Sequence, residues 1–258
     1  MILLFGDVHG NFDHVIQLVK NIRPVALIFL GDLEAQQPLE LELEYILSMT
    51  EIYFIHGNHD TDTDDNYKNL FLSGLADRNI HGRIVEIDGV KVAGLGGVFR
   101  EQAWYPRHDM KDAPVYKNYD NLIKTLSKKR LHQSADLARD HNELKHKSTI
   151  FYDDWKRLSK QRSDILVTHE APSCHPMGFI GIDELARTMK VKKTFHGHKH
   201  DRLDYSSQFD KLGFKAFGVG FCGVCDQEGN LIAKGDFDDE NERKYRNSRR
   251  QELKKDKT

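Results

Sequence analysis

Asp7 and His9 in GDVHG, Asp32 in a second GD, Asn58, His59 and Asp60 in GNHD, His169 in THE, and His196, His198 and His200 in HGHKH stand out for the reactive centre they would make together. Carboxylate, imidazole and amide oxygen together make the donor set of Mn, Fe, Zn and similar divalent cations. A lone histidine after a strand is ordinarily a structural residue. Here each group closes a separate apolar run, so the edge of one fold would gather all of them. Gly6, Gly31, Gly57 and Gly197 stand beside these residues, and a residue without Cβ lets backbone pass close to a crowded centre. Alternation along an extended strand does not separate His196, His198 and His200, because all three would face one side.

The framework that must hold these groups follows from periodicity. MILLFGD, VALIFLGD and IYFIHGNHD read as buried strands, while NFDHVIQLVKNI carries Phe12, Val15, Ile16 and Val19 at helical spacing. PLELELEYILSM reads as a helix with Pro38 at its first turn. Strands alternating with single helices imply a parallel sheet covered on both faces. RIVEIDGVKVAGLGG reads as a hairpin turned at Asp88-Gly89. Residues 116–160 read as two polar helices, an arm of about residues 111–162 inserted into a domain of residues 1–238. SDILVTHEAP, KTFHGHKHD, FKAFGVGF and NLIAKGDF supply later strands and GIDELARTMK a helix, and residues 239–258 form a charged tail expected to be disordered.

The order GDVHG, GD, GNHD, THE and GHKH closely resembles the calcineurin-like metallophosphoesterase superfamily, over roughly Met1 to Phe221. The resemblance implies an α/β fold, a four-layer α/β/β/α sandwich with a helical insertion and two metals at the strand ends. It implies Asp7, His9 and His200 on the first metal, Asp32 bridging, and Asn58, His169 and His198 on the second. Mn²⁺ is the first expectation for both ions, with Fe, Zn, Ni or Mg as alternatives. Two such metals lower the pKa of a shared water, so that hydroxide attacks phosphate mono- or diesters in line. His59 is then the general acid, Asp60 the neighbour that orients it, and Asn58 a contact to metal and substrate. His196 falls to a packed or hydrogen-bonding role. The protein Ser/Thr phosphatase branch carries Asp-Arg-Gly after its second motif; LEAQQ follows Asp32 here, which argues against that branch.

Composition narrows the partners. The 38 basic and 40 acidic residues show no global bias, yet residues 107–162 hold fourteen Lys or Arg against eight Asp or Glu. That stretch supports an alternative reading as a nuclease or nucleic-acid-processing phosphodiesterase. The leading expectation is a phosphorylated small-molecule or nucleotide substrate. A scaffold without catalysis is a third reading, disfavoured because every motif position holds a competent residue. The first apolar run is too short for a signal peptide and no segment is long enough to span a bilayer, so a cytoplasmic setting without membrane contact is expected. Three cysteines make no disulfide framework, and Cys222 and Cys225 read as half-buried thiols. In FREQAWYPRHD, Arg100, Tyr105, Arg107 and His108 either grip substrate or dock the arm; the sequence weighs these evenly. In APSCHPMGF, Cys174 and His175 read as loop-shaping residues, and His56 as a packed histidine.

Overall fold

Strand-by-strand alternation builds the architecture of the computed structural model, which describes residues 1–111, 113–130 and 143–240. In β1 (Ile2–Phe5) and β2 (Ala26–Phe29), Leu3, Phe5, Leu27 and Phe29 face one side, and Ile2, Leu4, Ala26 and Ile28 the other. All eight are buried. Continuous apolar strands of this kind need cover on both faces.

The cover is a helix layer on one face and a second sheet on the other. The first sheet is β10-β9-β1-β2-β3, completed by β3 (Glu51–Phe54), β9 (Val224–Asp226) and β10 (Leu231–Ala233). Its β1, β2 and β3 are parallel, while β9 and β10 add antiparallel at one edge. The second sheet is β4-β5-β6-β7-β8, from β4 (Ile84–Ile87), β5 (Val90–Leu95), β6 (Ile165–Thr168), β7 (Lys193–His196) and β8 (Lys215–Gly218). β5 to β8 are parallel, and β4 pairs antiparallel through a hairpin. Asp88 and Gly89 at its turn have φ of 50° and 76°, the left-handed pair that matches strand twist.

Three apolar clusters separate four layers. Val15 and Val19 of α1 (Asp13–Ile22), Leu39 of α2 (Leu39–Glu42) and Leu70 of α3 (Asp64–Phe71) pack on the outer face of the first sheet. Ile28, Leu30, Val92, Val167 and Phe195 fill the space between the sheets. Beyond the second sheet, Leu158 of α5 (Tyr152–Ser159), Leu185 of α6 (Ile180–Met189) and Leu212 of α7 (Phe209–Leu212) close the other side. The α/β/β/α sandwich is the fold expected from the motifs.

Three local details differ from the sequence reading. The stretch LELELE makes only the short α2 and a 3₁₀ turn at Glu44–Ile46, although Leu39, Leu43 and Ile46 at helical spacing are all buried in the first core cluster. Cys222 and Cys225, read as half-buried thiols of a late strand and turn, are buried, with Cys225 of β9 paired to Leu4. The segment read as an arm divides: α4 (Tyr119–Arg130) has its own small cluster with Phe151, whereas α5 lies in the sandwich, the Trp155 indole donating to Gly181 O at 2.7 Å. Residue 112 and residues 131–142 of the expected arm, and the tail from 241, lie outside the described residues.

Candidate metal centre

The C-terminal ends of β1, β2, β3, β6 and β7 bring the motif residues together where the two sheets meet. Asp7 and Asp32 are buried, at 0% and 1% exposure, and His169 is buried at 0%. Their close approach depends on glycine. A Cβ on Gly57 would stand 2.1 Å from Asp32 Oδ1, one on Gly197 2.3 Å from Asp7 Oδ1, and one on Gly31 2.4 Å from His169 Nδ1. No real side chain tolerates such contacts, so the glycines are dictated by space rather than by turn type alone.

Two donor groups share one residue. Asp7, His9, Asp32 and His200 form one group, and Asp32, His169 and His198 the other, with ligand atoms within 4.8 Å of one another in each. His9 Nε2 and His200 Nε2 lie 3.1 Å apart, and His200 Nε2 is 3.1 Å from Asp7 Oδ2. The His169 Nδ1–H donates to Leu30 O at 2.8 Å, which turns Nε2 towards Asp32 Oδ2 at 3.2 Å and Asn58 Oδ1 at 3.3 Å. Asp7 Oδ1 and Asp32 Oδ2 are buried without a hydrogen-bond donor. Buried carboxylate oxygens are costly unless a cation or donors meet them. The orphaned oxygens and convergent imidazole nitrogens therefore fit two divalent cations, with Asp32 common to both.

Electrostatics agree. Burial alone would raise Asp32, but the neighbouring His169 charge, with the His59 N–H at 2.8 Å, holds it well below the usual carboxylate range. Burial alone would lower His169, yet Asp32 and Asp7 push it up to about 10. In other words, the carboxylates demand a positive charge at that position. Burial, then the neighbouring His169 and Lys199 charges, drive His198 down to about 2, leaving a neutral imidazole able to bind metal. His196 is buried at 0%, its Nδ1 at 3.0 Å from Gly197 O and Nε2 at 3.1 Å from the Tyr205 hydroxyl. Those contacts set it apart from the two donor groups.

The neighbour of His59 is not the one expected. Its Nδ1 lies 2.6 Å from Asp62 Oδ2, and its side chain is 42% exposed. Burial opposes but Asp32 and Asp62 prevail, and the His59 pKa is raised. Asp60 instead accepts the Leu33 and Glu34 N–H on Oδ1 (2.8 and 2.9 Å) and the Gly57 N–H on Oδ2 (2.8 Å). Burial, then Asp32, raise its carboxyl to about 6. The expectation that Asp60 orients His59 is thus corrected: Asp60 ties the loops after β2 and β3 together, and Asp62 adjoins the imidazole. A buried side chain next in sequence to an exposed one points the other way, which the motif alone does not show.

Of the four proposed substrate contacts, three are turned to packing or solvent. Tyr105 packs edge-on to Phe179, Arg107 reaches Pro176 O at 3.5 Å, and His108 is exposed. Arg100 donates to Thr149 Oγ1 and Ser148 Oγ at 3.2 and 3.3 Å, while feeling the charges of Asp62 and Glu170. It is the one of the four electrostatically tied to the centre. Sequence reasoning passed over Glu34, whose Oε2 is 2.5 Å from His9 Nδ1, and Glu170, buried with Lys199 Nζ 3.1 Å away. Both carboxylates adjoin motif residues in sequence, the only signal available. Phe221 stacks on the His9 ring at 5.2 Å. Cys174, Cys222 and Cys225 are free thiols; burial raises Cys225 beyond the ordinary thiol range.

Comparison with known proteins accords with this geometry. The calcineurin-like phosphoesterase family matches residues 1–202. A relative from Haemophilus influenzae, described as an uncharacterized protein, is 40% identical over 234 residues, 90% of this chain and 96% of its own. The crystal structure of the Thermus thermophilus protein TT1561 is similar in fold, with TM-score 0.52 at 14% identity, covering 91% of this chain and 97% of that one.

Proposed function

The chain belongs to the calcineurin-like phosphoesterase family and is a metal-dependent phosphoric ester hydrolase, and on that footing we propose that it cleaves phosphate mono- or diesters of small molecules or nucleotides at a two-metal centre. Asp7, His9 and His200 would hold one ion, His169, His198 and Asn58 the other, and Asp32 would serve both. The observation that carries the reading is Asp32 standing in both donor groups while its Oδ2 lacks a hydrogen-bond donor. Carboxylate, amide-oxygen and imidazole donors without thiolate suit divalent ions such as Mn²⁺, Fe, Zn or Ni.

When bound, the pair would supply Lewis acidity towards the phosphate oxygens and a nucleophilic water at neutral pH. The chain supplies the rest. Asp7 and Asp32 are fixed by the N–H groups of His198 (2.7 Å) and His59 (2.8 Å), so their remaining oxygens keep one direction. His59, raised in pKa and half exposed, holds the proton that the leaving oxygen takes up. Asp62 keeps the proton-bearing ring turned towards that oxygen through Nδ1. Three unpaired cysteines support a reducing, cytoplasmic setting.

The test is hydrolysis of p-nitrophenyl phosphate and bis(p-nitrophenyl) phosphate by the Mn²⁺-loaded protein. Turnover of at least one, abolished by chelation and restored by Mn²⁺, is expected. Folded, metal-loaded protein inert towards both would overturn the reading.

A further inference from the structure

We infer that Glu34 is a positioning residue that holds His9 in the one tautomer able to bind the first cation, an inference that rests on the two-metal reading above. Glu34 Oε2 lies 2.5 Å from His9 Nδ1. A carboxylate accepts, so Nδ1 carries a ring proton, and in the neutral ring that a metal ligand must be Nε2 is then the atom with the lone pair. That Nε2 is the atom 3.1 Å from His200 Nε2, inside the group with Asp7 and Asp32. Without Glu34 the imidazole would be free to protonate Nε2 and point a hydrogen into the centre. A carboxylate behind a histidine ligand fixes ring orientation and raises ligand basicity.

The backbone is arranged for this contact. His9, Asp32 and Glu34 all have positive φ, at 42°, 49° and 46°, a region costly for residues with a Cβ. Such strain persists where the surroundings over-determine it. The Asp60 carboxylate does so here by accepting the Leu33 and Glu34 N–H groups, and the His9 N–H donates to Asp32 O at 3.0 Å. An oxygen of Glu34 is also within 4.8 Å of donor atoms of His59 and Asp62, so one carboxylate adjoins both a metal-binding histidine and the proton donor. The pair is partly exposed, 17% for His9 and 28% for Glu34. An ordinary ion pair at that exposure would contribute little, and the experiment separates the two roles.

Mn²⁺ is titrated into metal-free wild type, Glu34→Ala and Glu34→Gln by calorimetry, and the His9 tautomer is read from ¹⁵N NMR of the metal-free proteins. Glu34→Ala is expected to weaken one of the two sites by about 10- to 100-fold and leave the other within about twofold. Glu34→Gln, which keeps an acceptor oxygen, falls between. His9 in wild type shows an unprotonated Nε2, and in Glu34→Ala a mixture. Both bonds to Asp60 involve backbone, so neither variant removes them; should Glu34→Ala fail to fold, Glu34→Gln carries the comparison. Wild-type affinity at both sites in the variants, or a wild-type His9 protonated on Nε2, overturns the inference. Wild type that binds no Mn²⁺ sinks the two-metal reading instead, and the tautomer still decides the role of Glu34.

Discussion

Single residues divide into those that offer a lone pair to the centre and those that only look as if they do. His198 and His200 belong to the donor groups, and His196 is enclosed by Gly197 and Tyr205. His198→Ala and His200→Ala should each lose metal and at least roughly 100-fold in kcat. His196→Ala should retain its metal and lose about 2 kcal/mol of stability. Metal content by elemental analysis beside thermal melting checks the split; equal metal loss in all three variants would contradict it. Asp62→Asn should lower kcat about 10-fold for an alkyl ester and much less for p-nitrophenyl phosphate, whose leaving group needs no proton. Asp60→Ala leaves three N–H groups, two of them buried, without acceptors and should cost about 3 kcal/mol.

Among the elements, loops after strands are held by contacts that a motif does not reveal. Gly57→Ala would press its Cβ against Asp32, and a loss of about 2 kcal/mol together with loss of metal is expected. The 3₁₀ turn His146–Ser148 supports Arg100 and bridges Thr149 to Val98. Burial, then the charges of Arg100 and Lys145, lower His146 from 6.5 to about 4. The unfolded chain therefore takes up a proton that the folded chain refuses. His146 contributes its full stability above pH 6.5 and loses it as pH falls towards about 4, roughly 1 kcal/mol after allowance for solvent. His146→Gln should flatten that part of the stability curve in denaturant titrations at pH 7, 6 and 5. An unchanged slope would show that the imidazole does not feel its burial.

Across the whole molecule, the centre unites strand ends from two sheets, so cation binding should stabilise the sandwich as a unit. Mn²⁺ at 100 times its dissociation constant should add about 2.7 kcal/mol, seen as a melting temperature that rises with concentration. Residues beyond the family match also belong to this body. The Asp236 N–H donates to Phe221 O at 2.9 Å, Asp238 is buried, and Phe237 packs on Phe221, which itself lies on His9 and His200. Truncation after residue 234 should lower the melting temperature and weaken Mn²⁺ binding relative to truncation after residue 240. Indistinguishable truncations would mean that this strap holds nothing in place.

The layered α/β architecture and the set of residues able to meet are already written in the order of amino acids, because buried strands must be apolar on both faces and the polar residues that interrupt them collect at strand ends. The glycines beside Asp7, Asp32, Asn58 and His198 were equally legible, being demanded by space that no Cβ fits. Direction was settled by packing instead: that Asp60 turns inward to backbone while Asp62 takes the His59 ring, that α5 packs into the sandwich, that Tyr105 faces Phe179, and that Glu34 stands behind His9. Side-chain direction in a loop is set by φ at single residues and by partners distant in the chain, and neither leaves a period in the sequence.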